Sequence, residues 1–367
     1  MGIDKKPLDW LMVYKANLHN LKDVTVRLPL KALTVVTGVS GSGKSTLARD
    51  VLLANMEKVV ALKRDEVMTN WSDCTSIVGY GKTETDRLGI QRVLEVDQTP
   101  IGKTPRSCPA TYIGFWDTIR KQFADTAEAR MRGYTAARFS FNTGDGRCES
   151  CEGQGMRTVE MSFLPDVKVG CDVCGGRRFN TATLQVLMRG KSVGDVLTMN
   201  VDEAVDYFAN SPSIAHPLQL MKDVGLGYLT LGQPSPTLSG GEAQRIKLVA
   251  ELAKARLDIQ GQLRMVQHTL YVLDEPTVGL HMADVAKLLT VLHRMVDAGN
   301  TVVVIEHQLD VMAEADWLID MGPEGGSGGG SVVAADTVDG VCETAGVTGS
   351  HTGRILGEFL AENGRLA

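Results

Sequence analysis

Gly38-Val-Ser-Gly-Ser-Gly43-Lys44-Ser45 fits G-x-x-x-x-G-K-[ST] in full. Leu33-Thr-Val-Val-Thr37 before it is a buried-type strand, and the sequence after it predicts a helix from Lys44. That context makes the glycine run a phosphate loop. Its backbone N–H groups can close around phosphate oxygens, and the helix N-terminus adds a favourable field. A strand–loop–helix of this kind calls for an α/β sheet around it. The residues it nominates are Gly38, Ser40, Gly41, Ser42, Gly43, Lys44, Ser45 and Thr46. Lys44 is expected at the β- and γ-phosphates of ATP, and Ser45 at Mg²⁺.

Three later segments supply matching chemistry. Leu270-Tyr-Val-Leu273-Asp274-Glu275 is an apolar strand ending in two acids. Asp274 suits Mg²⁺ binding through water, and Glu275 suits a general base for the attacking water. Alone, such an ending is a common surface pattern; beside a phosphate loop it is a second witness. His307 follows the strand Val302–Ile305, 32 residues after Glu275, where a sensor of the γ-phosphate belongs. Gln98 ends the strand Val93–Asp97 and suits either a glutamine that contacts metal and water or a loop glutamine bonded to backbone. Tyr14, upstream of the loop, reads more readily as a core or surface tyrosine than as an adenine stacker.

Leu238-Ser239-Gly240-Gly241-Glu242 comes some 195 residues after Gly43. Ser239 and Glu242 form a Ser-x-x-Glu capping box, and Ile246, Val249, Ala250 and Ala253 continue it at helical spacing. This set resembles the ATP-binding cassette (ABC) ATPases, whose mark is that LSGGE signature. The resemblance implies cassettes paired head to tail. Ser239, Gly240 and Gly241 would then cap the γ-phosphate held by a partner's phosphate loop. One chain with one set of motifs therefore needs a second copy or another cassette.

Between loop and signature, residues 110–232 break the α/β rhythm. Helical pieces are expected around Phe115–Ala129 and Val201–Asn210. Between them Cys148-Glu-Ser-Cys151 and Cys171-Asp-Val-Cys174 enclose 19 residues. C-x₂-C-x₁₉-C-x₂-C is the spacing of a structural, tetrahedral Zn²⁺ site with no open position. Glycines follow each pair, which lets backbone N–H groups turn back toward the sulfurs. Thr158–Phe163 alternates like a strand. Arg138-Phe139-Ser-Phe141 offers basic and aromatic groups that suit either nucleic acid or packing around the metal. Cys74, Cys108 and Cys342 have no partners at ligand spacing and read as structural thiols.

Formal charge is −6 over 367 residues, so binding to nucleic acid would need a local basic surface. Gly102–Arg147 provides one candidate, with eight Lys/Arg against four Asp/Glu, although charge alone favours a solvated face. No apolar run approaches a membrane span, and Met1–Trp10 lacks a signal-peptide core, so a soluble, cytoplasmic chain without a membrane partner is expected.

A cassette with a four-cysteine module ahead of its signature is similar to the UvrA family, the damage-sensing ATPases of bacterial nucleotide excision repair. The likeness runs from about residue 10 to beyond 350, and its C-terminal cassette is the part resembled. It is carried by Val96-Asp-Gln-Thr-Pro-Ile-Gly-Lys-Thr-Pro-Arg-Ser107, Arg138-Phe-Ser-Phe-Asn142, Phe163-Leu-Pro-Asp-Val167, Leu231-Gly-Gln-Pro234, Leu238-Ser-Gly-Gly-Glu-Ala-Gln-Arg245 and Asp274-Glu-Pro-Thr277 with Gly279-Leu-His281. It implies an α/β ABC-type P-loop ATPase cassette with an inserted helical signature domain carrying a zinc module. The division expected is 1–109 and 233–367 for the ATP-binding core and 110–232 for the insert.

The resemblance further implies ATP hydrolysis without nuclease activity, binding of damaged double-stranded DNA, and pairing with a second cassette, in a homodimer or with an N-terminal UvrA half. Arg130, Arg132 and Arg138 become candidate DNA contacts. UvrB is a further implied partner, although the family's UvrB-binding region lies in the half not matched here. Residues 55–90 and the polar stretch Ala255–Gln267 show little of the family pattern. Two rival readings are a DNA- or partner-binding half-module without turnover of its own, and a transporter-type cassette.

Overall fold

The computed structural model describes residues 9–62, 66, 68–81, 89–159, 167–257 and 267–364. The chain packs as two compact units, Met1–Asp97 with Arg264–Ala367, and Gln98–Leu263. The second unit contains the span 110–232 expected for the insert and also 98–109 and 233–263, which were expected in the ATP-binding core.

The first unit is built on a six-stranded sheet. Its order is Ser331–Asp336, Trp317–Gly322, Leu33–Gly38, Thr301–Ile305, Thr269–Asp274 and Arg92–Val96. All neighbours are parallel except the first pair, which is antiparallel. The strand Leu33–Gly38 is buried at every position, as a central parallel strand covered on both faces must be. Val24–Pro29 instead alternates buried and exposed residues. It belongs to a second, three-stranded antiparallel sheet with Trp10–Ala16 and Ser76–Val78.

The helix that leaves the phosphate loop runs as a π-helix over Thr46–Leu53 and as an α-helix over Ala54–Ala61. Leu47, Val51, Leu52 and Met56 on it join one buried core with Val13 and Val26 of the small sheet and Val36 and Val303 of the large one. Burying four such side chains contributes about 1.5–3 kcal/mol each. The helix start, and with it the phosphate loop, is thereby fixed from below.

The second unit is mainly helical. The helix expected over Phe115–Ala129 is two helices, Trp116–Ala124 and Ala127–Met131. Thr126 breaks it: its hydroxyl caps the second helix by accepting from the N–H of Ala129 at 3.3 Å. Val201–Tyr207 begins where expected, capped by Asn200. The signature helix spans Gly240–Leu257.

The aromatic residues of this unit form its core. Phe123 lies 5.5 Å from Phe139, and Phe141 lies 5.5 Å from Trp116 and 6.2 Å from Phe179. Phe139 and Phe141 are fully buried, so of the two uses open to Arg138–Phe141 the phenylalanines take packing. The alternating stretch Thr158–Phe163 is met by a strand Met156–Val159, paired with Val167–Gly170. Residues 160–166, including Phe163–Asp166, lie outside the described residues, as do 258–266 of Ala255–Gln267. No helix among the described residues is long and apolar enough to cross a membrane.

Candidate functional site

Three neighbouring strands of the large sheet deliver the chemistry of the first unit at their C-terminal ends. Leu33–Gly38 delivers the phosphate loop, Thr269–Asp274 the two acids, and Thr301–Ile305 the histidine. Ligands of open α/β sheets sit at this edge. Gly38 has φ 129°, and a Cβ there would come within 1.9 Å of the Met321 carbonyl oxygen. Only glycine lets the loop leave its strand against that neighbour.

Lys44 is 7% exposed, and its Nζ donates to the carbonyls of Gly38 at 3.0 Å and Val39 at 2.9 Å. Burial lowers its pKa, while the carboxylates of Glu275, Asp274 and Asp320 oppose that shift. The ammonium is thus held inside the loop and is only partly compensated, as befits a group awaiting anionic phosphate.

Asp274 ends its strand beside Arg49, whose Nη1 lies 3.5 Å from Oδ2. Burial raises its pKa; Arg49 acts against the shift, and Glu275 and Glu306 act with it. A carboxylate pushed upward in this way is receptive to a cation. The Asp274 carboxylate is a hard oxygen donor of the kind that suits Mg²⁺. Glu275 takes a left-handed φ of 43°, and its N–H donates to the Ile305 carbonyl at 2.9 Å. Its Oε1 lies 3.3 Å from His307 Nε2. Lys44, Asp274, Glu275 and His307 therefore form one cluster, a candidate phosphate cradle.

Several residues that shape this cradle escaped the sequence reading. Glu306, 2% exposed, accepts from the N–H groups of Thr277 at 2.9 Å, His307 at 2.8 Å and Gln308 at 3.2 Å. Asn20 Nδ2 donates to the carbonyls of Gly41 at 3.0 Å and Gly326 at 3.1 Å. The turn Gly325–Gly330 lies along the loop, with Gly326 N–H on Gly41 O and Gly330 N–H on Ser42 O, both at 3.0 Å. Its glycines suit a turn, but nothing in the sequence marks its partner. Glu306 could have been noticed as a carboxylate inside Ile-Glu-His.

In the second unit the capping box forms as read. Ser239 N–H donates to Glu242 Oε2 at 2.7 Å, and Glu242 N–H donates to Ser239 Oγ at 3.3 Å. Tyr228 adds a bond from its hydroxyl to Glu242 Oε1 at 2.5 Å. Gln98 lies against Gly240, where a Cβ would come within 3.0 Å of its Oε1. Gly240 and Gly241 open the signature helix.

The four cysteines converge. Cys148, Cys151, Cys171 and Cys174 are buried, and their sulfurs all lie within 4.8 Å of one another. Cys148 to Cys171 is 4.0 Å and Cys151 to Cys174 is 3.7 Å. A tetrahedral zinc with Zn–S of about 2.3 Å has sulfur edges of about 3.8 Å. Gly155 N–H donates to Cys151 Sγ at 3.3 Å, the return bond expected of a knuckle. Without a cation, burial pushes the Cys174 thiol up to about 12 and Cys151 upward as well. At Cys171 burial is outweighed by hydrogen bonds from Cys174 and Val173, which bring the thiol down to about 7, and four sulfurs gathered in one buried pocket suit a soft divalent ion.

Of the three candidate DNA arginines, two are engaged within the fold. Arg138 Nε donates to Thr183 Oγ1 at 3.0 Å, and its guanidinium stacks 4.6 Å from the Tyr134 ring. Arg132 pairs with Glu128 at 2.5 Å and donates to Gln185 Oε1 at 3.1 Å. Arg130 pairs with Asp125 at 3.1 Å, both well exposed.

No family model matches the chain. It is 55% identical to UvrABC system protein A of Thermus thermophilus over 346 residues, which are 94% of this chain and 34% of that protein. Identity to the same protein of Haemophilus influenzae is 51% over 98% of this chain and 36% of the relative. The crystal structure of UvrA2 from Deinococcus radiodurans superposes with a TM-score of 0.81 at 45% identity, covering 99% of this chain and 40% of that one.

The chain belongs to the UvrA family. It spans about a third of the length of the curated relatives it matches. The fold is that of a UvrA-type ABC cassette, with Gly38–Ser45, Asp274, Glu275 and His307 in one unit and Ser239–Glu242 and the cysteine cluster in the other.

Proposed function

We propose that this chain is an ATP-hydrolysing, DNA-binding cassette of nucleotide excision repair that recognises damaged DNA. The observation that carries the reading is the convergence of Lys44, Asp274, Glu275 and His307 on one phosphate loop in a UvrA-type sheet. The loop N–H groups and Lys44 bind the phosphates of ATP. Asp274 and Ser45 would hold Mg²⁺, which when bound neutralises charge between the β- and γ-phosphates. Glu275 takes a proton from water in line with the γ-phosphorus, and His307 orients Glu275.

The signature residues Ser239, Gly240 and Gly241 would cap the γ-phosphate on a second cassette, from another copy or from an N-terminal UvrA half. Gln98, packed on Gly240, would report the nucleotide to the signature helix. Four cysteines would hold a structural Zn²⁺ that gives the insert its shape. Arg130, with Arg132 and Arg138 contributing if their internal bonds open, would meet DNA phosphates. The intact hydrolytic set favours turnover over a passive binding module. UvrB contact is proposed only through a complete UvrA partner.

The test is ATP-dependent association and binding to lesion-bearing duplex, followed by light scattering and fluorescence anisotropy. The wild type should pair in ATP and bind damaged duplex more tightly than undamaged. Lys44→Ala should do neither. Lesion-indifferent binding, or none, would overturn the repair assignment; pairing by Lys44→Ala would overturn the ATP-driven closure.

A further inference from the structure

Arg178 is 3% exposed and follows the second cysteine pair. Its main chain is part of the metal pocket. Its carbonyl accepts from Cys148 N–H at 2.9 Å, and its own N–H donates to the Cys174 sulfur. Its side chain then leaves the pocket. The guanidinium lies 4.8 Å from the Phe141 ring, and Nη2 donates to the Gly232 carbonyl at 2.7 Å. Nη1 is buried without a hydrogen-bond partner.

A buried guanidinium of this kind needs a counter-charge. The groups whose charge reaches it are sulfurs: Cys108, Cys151 and Cys174. As neutral thiols they give it nothing. A zinc ion with four thiolates would be doubly negative, and the main chain of Arg178 is bonded to that cluster at Cys148 and Cys174.

Gly232 is no arbitrary acceptor. It lies in the turn that leads to the signature, and Ser235 in the same turn donates its N–H to Ser107 O at 2.8 Å and its hydroxyl to Gly102 O at 2.7 Å. The first knuckle is tied to that neighbouring segment as well, since Arg106 Nη2 donates to Glu152 O at 3.1 Å. Two arginines thus join the two knuckles to the two chain segments that run together toward Gly240 and Gln98.

We infer that Arg178 is the buried counter-charge of the zinc–thiolate centre and the strut that fixes the pre-signature turn to it, so that metal occupancy positions the signature. It acts through other groups and is a positioning residue. The inference rests on the zinc reading of the cysteine cluster.

The test compares full-length wild type, Arg178→Met and Arg178→Lys. Zinc retained against excess chelator is followed by atomic emission, and amide exchange is followed over residues 231–238. Arg178→Met should release zinc about 10–100-fold faster, the usual effect of removing an outer-shell partner, with faster exchange over 231–238. Arg178→Lys keeps the charge but not the fork, so zinc retention should return while 231–238 stays loosened.

Unchanged zinc release in folded Arg178→Met overturns the inference, as does Arg178→Lys losing zinc as fast as Arg178→Met. If Arg178→Met does not fold, Arg178→Lys decides alone: zinc retained with faster exchange over 231–238 supports the inference, and wild-type exchange there overturns it. A wild type that purifies and reconstitutes without zinc overturns both this inference and the zinc reading.

Discussion

His307 Nε2 lies 3.3 Å from Glu275 Oε1, and the two residues hang from adjacent parallel strands whose register pairs Asp274 with Ile305. The register places His307 beside Glu275. Glu275→Gln keeps the shape and removes the base, so hydrolysis should fall about 10²–10⁴-fold with ATP binding retained. His307→Ala should cost about 10²-fold by letting Glu275 drift. The double variant should lose no more than Glu275→Gln alone, because the pair acts as one unit. Steady-state ATPase assays on the three variants decide; losses that multiply would separate the residues.

Glu306 is a stronger determinant of that geometry than its exposure suggests. It holds the loop after Asp274 through Thr277 and the loop after Ile305 through His307 and Gln308. Glu306→Ala would leave three N–H groups without their acceptor and should destabilise the protein by on the order of 3 kcal/mol. Glu306→Gln turns an acceptor oxygen into a donor against one loop, and should lower kcat more than it raises KM. Urea titration and steady-state kinetics read the two effects. A change in KM alone would show that Glu306 supports nucleotide binding rather than the alignment of base and histidine.

The parts of the site that were legible in the sequence are contiguous ones. Gly38–Ser45, Asp274-Glu275 and Ser239–Glu242 each declare their chemistry within a few residues, and each forms the local structure that its pattern predicts. What was not legible depends on partners far along the chain. Asn20 meets Gly326 across 306 positions, and no local pattern records such a contact. The strand Trp317–Gly322 was missed for a related reason. It carries buried Asp320, whose carboxylate accepts from Ser350 Oγ at 2.6 Å and Thr352 Oγ1 at 2.9 Å. An unpaired acid in an apolar run argues against a central strand until its acceptor role is seen. Arg138 shows a different limit: a basic residue beside aromatics suits nucleic acid or packing alike, and only the structure shows that Thr183 and Tyr134 engage it within the fold.

Asp274 gives a pH signature. Burial raises its folded pKa above the ordinary value of 3.8, so the folded state holds the proton more tightly than the unfolded state. Stability contributed by the protonated group is present below the unfolded value. It is lost as pH rises through that value to the folded one, leaving the ionised carboxylate as a net penalty above it. Asp274→Asn removes the penalty. In metal-free buffer it should melt higher than wild type near neutral pH, the two converging in acid below the carboxylate range. Hydrolysis should meanwhile fall about 10²-fold or more, because the metal's carboxylate is gone. Calorimetry across pH tests the sign: a destabilised variant at neutral pH would mean that the Arg49 contact outweighs burial.

The cysteine cluster predicts a metal dependence confined to its own unit. Wild type should carry about one zinc per chain, and Cys171→Ser should lose it, since three thiolates leave the tetrahedron open. Metal loss should lower the melting temperature and loosen the segments 148–155 and 171–179, the knuckles that the sulfurs hold. Binding of ATP to the phosphate loop uses residues of the other unit and should persist. Elemental analysis, hydrogen exchange and nucleotide titration on wild type, Cys171→Ser and chelator-treated protein separate these effects. Loss of ATP binding on metal removal would contradict the division of labour between the two units.

Gly330 tests whether the glycine-rich turn braces the phosphate loop. Its φ is 81°, and a Cβ there would lie 1.7 Å from the Asn20 carbonyl oxygen. Backbone cannot yield as a flexible side chain does, so Gly330→Ala must push the turn away from Asn20. The Gly330 N–H to Ser42 O bond, 3.0 Å long, goes with it. Overpacking of this kind costs about 1–3 kcal/mol, and the left-handed backbone adds about 1–2 kcal/mol for any residue with a Cβ. If the turn is a brace, ATP should bind about tenfold or more weakly, since 1.4 kcal/mol of that strain transmitted to the loop suffices. Gly346→Ala is the matching control. It lies in the helix Val338–Thr348 with nothing within 4 Å of an added Cβ, and should raise stability by up to about 1 kcal/mol with nucleotide affinity unchanged. Isothermal titration with thermal melts on both variants distinguishes a brace from a spacer: a spacer would let Gly330→Ala lose stability while binding ATP as tightly as wild type.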